Sequence, residues 1–124
     1  MKRFLAVPLM ALMLSGCAAR AVHPGAANAF DSSAFDTLDI THGVIENTKT
    51  DIAAGAFDAS LVPNIKAALN DLIVAYNVAD SAYLVYHVAA LSGTATVAQT
   101  NALTAGLQQV NTATTTLVSI KGNH

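Results

Sequence analysis

His42 and His87, the tyrosines Tyr76, Tyr83 and Tyr86, and the aspartates Asp31, Asp36 and Asp39 are the side chains of this 124-residue chain best suited to do chemistry. Histidines can hold a metal ion, a row of phenols can line a pocket, and neighbouring carboxylates can act as general acid and base. Spacing weighs against most of these roles. If the first two helical segments fold back about a turn near residue 58, His42 lies level with Ala75 and Tyr76. His87 then sits about 18 Å further along at 1.5 Å per residue, so the two histidines cannot share an ion within one chain. They are expected as partly buried side chains hydrogen-bonded between helices. No HExxH sequence, no Glu-x-x-His pair on facing helices, no GxSxG elbow and no phosphate-binding glycine loop is present. The aspartates gather where a helix should begin, a position that attracts Asp through capping and the helix dipole alone. The residues therefore assign no catalytic group, no metal site and no cofactor. The tyrosine stripe is expected in the core, with each phenol reaching a polar partner or the rim. If the bundle holds a pocket for an apolar or aromatic ligand, it belongs at the end formed by Phe30, Tyr83 and His87.

Three amphipathic segments would carry these side chains. Phe35, Leu38, His42, Ile45, Lys49, Ile52 and Ala56 recur at steps of three and four, the spacing of one helix face. With Ser33 and Asp36 as a capping box and Gly55 as a stop, the first helix is predicted from Ser33 to Ala54. Pro63 suits the first turn of a second helix. There Ile65, Leu69, Leu72, Tyr76, Ala79, Tyr83, Tyr86 and Ala90 form the face, and Ile73, Val74, Leu84, Val85 and Val88 widen it. A helix apolar on more than one side is expected to touch two neighbours. Although residues 72–91 are mostly apolar, Asn77, Asp80, Ser81 and His87 argue for a buried central helix over a membrane span. Ser92-Gly93 ends it, Thr96 and Gln99 make the next capping box, and Leu103, Leu107, Val110, Thr114 and Leu117 form the face of a third helix. Lys121 and Gly122 suit its end. Short connections make antiparallel neighbours, so the expected fold is all-α: a small three-helix, up-down-up bundle.

What precedes the bundle is an address. Met1-Lys2-Arg3 is a basic start, Phe4 to Leu14 an apolar run, and Leu14-Ser15-Gly16-Cys17 follows with the only cysteine of the chain. These four residues resemble the lipobox of bacterial lipoproteins. The resemblance implies removal of residues 1–16, lipidation of Cys17 and anchorage in the cell envelope. Ala18 stands where an inner-membrane retention signal typically carries Asp, so in a host with two membranes it implies the outer membrane, facing the periplasm. Ala19-Arg20-Ala21 leaves a second reading open, cleavage by a non-lipid signal peptidase and release of a soluble protein starting near Val22. Residues 17–30, with small side chains and His23-Pro24-Gly25 at their centre, read as the lipidated cysteine and a flexible tether, and residues 31–124 as the bundle domain.

Charge narrows the partners. Without Lys2 and Arg3, four basic residues face eight acidic ones, an excess that weighs against nucleic acid and against polybasic membrane adhesion. With Cys17 committed to lipid, no thiol remains for a disulfide or a zinc–thiolate site. From Thr94 to Ile120 the chain carries no charged residue, and an uncharged polar face can approach another protein without desolvating ions. The expectation is a non-enzymatic envelope lipoprotein, structural or accessory, acting through a protein partner or homo-oligomer by its second and third helices. A periplasmic small-ligand-binding module and a phage-derived lysis or envelope lipoprotein are the alternatives.

Overall fold

A computed structural model describes residues 22–122. The expected signal peptide, the Leu14-Ser15-Gly16-Cys17 motif and the start of the tether lie outside the described residues. The described chain is a three-helix bundle: α1 Ala29–Ala53, α2 Val62–Leu91 and α3 Val97–Lys121. Helix α2 is the central element. It packs most extensively on α3 and less so on α1, while α1 and α3 meet only sparsely.

Helix α1 begins earlier than the sequence suggests. Asn28 is its N-cap, with Oδ1 accepting the Asp31 N–H at 2.8 Å, so Ser33 and Asp36 fall in the second turn and make no capping box. An Asn side chain satisfies an orphan N–H as well as a Ser does, and the pattern-based start missed it because only small residues separate Asn28 from Phe30. Both α1 and α2 end in Schellman motifs, with Gly55 and Gly93 just after the C-caps Ala54 and Ser92: Ala56 N–H reaches the Asp51 carbonyl at 2.9 Å, and Thr94 N–H the Ala89 carbonyl at 2.8 Å. The α3 capping box forms as its residues predict. Gln99 N–H donates to Thr96 Oγ1 at 3.1 Å and Thr96 N–H to Gln99 Oε1 at 2.9 Å.

The core is built from Leu38 and Ile45 of α1, Ile65, Leu69, Leu72, Tyr83 and Tyr86 of α2, and Leu103, Val110 and Leu117 of α3. Alanines fill the narrow places, and at one of them α3 has no side chain at all. A Cβ on Gly106 would lie 3.0 Å from the Ala79 Cα, so only glycine allows this approach of α3 to α2.

Two faces differ from expectation. On α1 the buried positions are Asp31, Ser32, Ala34, Thr37, Leu38, Thr41, Ile45 and Thr48, whereas Phe35, His42 and Lys49 are exposed. The threonines can turn inward because Thr41 Oγ1 donates to the Thr37 carbonyl and Thr48 Oγ1 to the Val44 carbonyl, both at 2.8 Å; the charged Lys49 stays at the surface, where its Nζ donates to Glu46 Oε2 at 3.2 Å. On α2, one broad face serves both neighbours. Of the residues expected to widen it, Ile73 packs on the core, but Val74, Leu84, Val85 and Val88 remain exposed. No helix among the described residues is long and apolar enough to cross a membrane.

Candidate functional site

The segment before α1 does not hang free. His23-Pro24-Gly25-Ala26 closes a turn with the Ala26 N–H on the His23 carbonyl at 3.0 Å. Pro24 presets the second position and Gly25, at φ 88°, takes the left-handed third position of a type II turn. The turn is fastened across the end of the bundle. His23 N–H donates to Ser32 Oγ at 3.1 Å, Ala27 N–H to Asp31 Oδ2 at 2.7 Å, and Asn28 Nδ2 to the Tyr86 hydroxyl at 3.0 Å. The His23 imidazole pairs through Nε2 with the Asp36 carboxylate. From His23 onward the expected tether is therefore a strap bound to α1 and α2.

Beneath the strap lies Asp31, in the first turn of α1 and inaccessible to solvent. A carboxylate buried there is favoured by the helix N-terminus and requires partners. Its Oδ2 accepts the Ala27 N–H and stands 2.7 Å from His87 Nδ1, while Oδ1 has no hydrogen-bond partner among the described residues. Facing the Asp31 oxygen, Nδ1 is the nitrogen that carries the proton in the neutral ring, and Nε2 is the one left for another partner. Tyr83 stacks on this imidazole, ring centroids 5.4 Å apart and planes at 22°, with its hydroxyl 3.5 Å from Nδ1. Burial, and then the neighbouring Asp31 carboxylate, push the Tyr83 phenol up to about 12. It stays protonated at any physiological pH.

His23, Pro24, Gly25, Ala26, Phe35, Tyr83 and His87 enclose a half-open cavity of about 350 Å³. Two of the three residues expected at this end, Tyr83 and His87, line it. Phe30 does not: its ring packs edge-on against Tyr86 at 5.2 Å. Phe35 takes its place, meeting His23 at 5.3 Å and Tyr83 at 6.4 Å. His42 does sit level with Tyr76, their rings 6.1 Å apart, but it is exposed and not the partly buried histidine expected. Asp39 is exposed as well. The Asp31–His87 pair could have been found from sequence, because the fold-back that levels His42 with Tyr76 also levels Asp31 with Tyr86. Starting α1 at Ser33 removed Asp31 from the helix and hid the pair. Asp36 stood among the clustered aspartates, but nothing local signalled His23 or their pairing, which depends on the strap turning back. Among the described residues no three His, Cys, Asp or Glu side chains gather into a group that could hold a metal ion.

A second feature lies on the side of α2 turned away from α1 and α3. Val74, Val78, Leu84, Val85, Val88 and Leu91 are each between 53% and 64% exposed. Val74, Val78, Ser81, Val85 and Val88 follow one another at steps of four and three, and all five are exposed. Leu84 and Leu91 flank them, and Asp71 stands one step before Val74. By contrast, Val97 is the one large hydrophobic side chain of α3 that is exposed.

Comparisons with protein-family models, with curated proteins and with solved structures find no match to this chain.

Proposed function

We propose that this chain is a non-enzymatic envelope lipoprotein, held in the membrane by lipid on Cys17, whose bundle acts as a structural subunit by pairing with a second copy along α2. The observation that carries this reading is the apolar outer face of α2. Its steps of four and three are the seam spacing of a two-helix coiled coil, and four of its five positions are β-branched valines with Ser81 at the centre. The seam from Val74 to Leu91 carries no charged side chain, so a second copy brings its own complement and no like-charge repulsion. Asp71 gives it a polar end. Of the second and third helices, through which the sequence expects contacts, α2 carries this interface.

Magnitudes fit an anchored protein. Two strips about 25 Å long would bury on the order of 1,000 Å² in total, the lower end of specific interfaces. Covering twelve half-exposed Val and Leu side chains at about 1 kcal/mol each is offset by an association cost of about 4–15 kcal/mol. Such a pair is weak in free solution. Confinement of both copies to one membrane by short tethers raises their effective concentration toward the millimolar range and favours the pair.

Ser81 is the midpoint of the seam and meets its own counterpart whether the copies run parallel or antiparallel. With Cys17 lipidated, Ser81→Cys supplies the one free thiol. In membranes from cells expressing the full chain, a short thiol–thiol crosslinker should give a band of twice the mass for Ser81→Cys and none for Thr115→Cys on α3. Adding Val85→Lys should remove the band. Absence of the doubled band, equal crosslinking at both positions, or a Ser81→Cys product with a different protein only would overturn the reading.

A further inference from the structure

The cavity beneath the strap has the features of a built binding site. Its floor is an imidazole whose orientation is fixed from behind, since His87 Nδ1 is engaged by the fully buried Asp31. With Nδ1 engaged, the nitrogen left for a ligand is Nε2, which in the neutral ring is a hydrogen-bond acceptor. Its walls are rings: Phe35, half exposed although it is a large apolar side chain, with Tyr83 and His23 beside it. Its roof is the Pro24-Gly25 turn, held in place by backbone and side-chain bonds on both sides. A volume of about 350 Å³ lies at the small end of ligand pockets and takes a single ring with one or two substituents.

We propose that this cavity binds a small uncharged aromatic molecule carrying one hydroxyl, the ring packing against Phe35 and Tyr83 and the hydroxyl donating to His87 Nε2. Charge decides the class. Asp31 and Asp36 both stand behind the cavity lining, so an anion is disfavoured. Each carboxylate already faces an imidazole, so neither is free to pair with a cation at the surface of the cavity. The Tyr83 hydroxyl, protonated throughout the physiological range, lies beside the same imidazole as a second polar group. The site is independent of the α2 seam: Phe35 belongs to another helix, and His87 and Tyr83 lie on the part of α2 that faces α1.

The test compares 4-methylphenol with 4-methylanisole, which keeps the ring and replaces the hydroxyl hydrogen with methyl. Each is titrated at neutral pH into the purified full chain, following the histidine side-chain nitrogens by ¹H–¹⁵N NMR. The phenol should bind at least about tenfold more tightly than the ether, and the His87 Nε2 resonance should move on binding. In His87→Phe the two compounds should bind alike. Equal affinity of phenol and ether for the unaltered protein, no binding of either at millimolar concentration, or perturbation confined to residues outside the cavity would each overturn the proposal. The first comparison needs no variant and stands even if His87→Phe fails to fold.

Discussion

Asp31 shows how much one residue can organise. Its carboxylate receives the strap through Ala27 N–H, fixes the His87 ring, and raises the Tyr83 phenol after burial has already done so. The last effect has a measurable consequence. Because the folded phenol binds its proton more tightly than the unfolded one, the stability it confers is fully present below pH 10 and is lost as pH rises toward about 12. Allowing for partial solvent contact, that loss is about 1–2 kcal/mol. In urea denaturation the stability difference between the parent and Tyr83→Phe should therefore be constant below about pH 10 and shrink above it, as the parent loses its advantage while the phenolate forms. Parallel profiles would show that the Tyr83 proton is not linked to folding. At this scale the sequence names the right residue types, and Tyr83 and His87 are recognisable as neighbours one turn apart. Phe35 and Phe30 exchange roles because five residues place their rings on different sides of α1, a distinction that the step pattern alone does not resolve.

Helices are the scale at which sequence pattern is most informative, and their misreadings have physical causes. Periodicity finds all three helices, and glycine finds the ends of α1 and α2. It rotates the α1 face because hydropathy counts a threonine as polar, although Thr41 and Thr48 satisfy their hydroxyls on their own helix and pack inward. Helix spacing likewise cannot reveal that Gly106 exists for Ala79. Gly106→Val should cost about 2–3 kcal/mol, since the new side chain meets Ala79 Cα at 3.0 Å and Cβ at 3.2 Å, and backbone there yields little. Gly106→Ala should be milder, because better helix propensity returns about 1 kcal/mol. Thermal unfolding of the two variants reads the difference; a Gly106→Val protein as stable as the parent would mean that the two helices are free to separate.

For the whole molecule, the anchor and the seam are one proposal in two parts, because the seam is too short to hold two copies at high dilution. Cys17→Ser should abolish lipidation and move the protein out of the membrane fraction. In the Ser81→Cys background it should also lower crosslinking several-fold, since the effective concentration falls. Unchanged membrane association of Cys17→Ser would remove the anchor from the account, and unchanged crosslinking would mean that the pair does not depend on it. Lys121 illustrates a coupling of the same breadth within one chain: its Nζ donates to Thr48 Oγ1 at 3.0 Å and ties the end of α3 to α1, helices that otherwise meet little.

Sequence by itself determined the all-α class, the number and order of the helices and most of the core, because each of these follows from local spacing, capping and apolar content. Tertiary structure decided which apolar faces find partners and which charges meet. Both outcomes depend on residues far apart in the chain arriving at one place: Asp31 against His87, His23 against Asp36, and the valines of α2 against nothing in their own bundle. A helix records in its sequence that a face is apolar, but whether that face lies within the core or on the outside depends on where its neighbours pack.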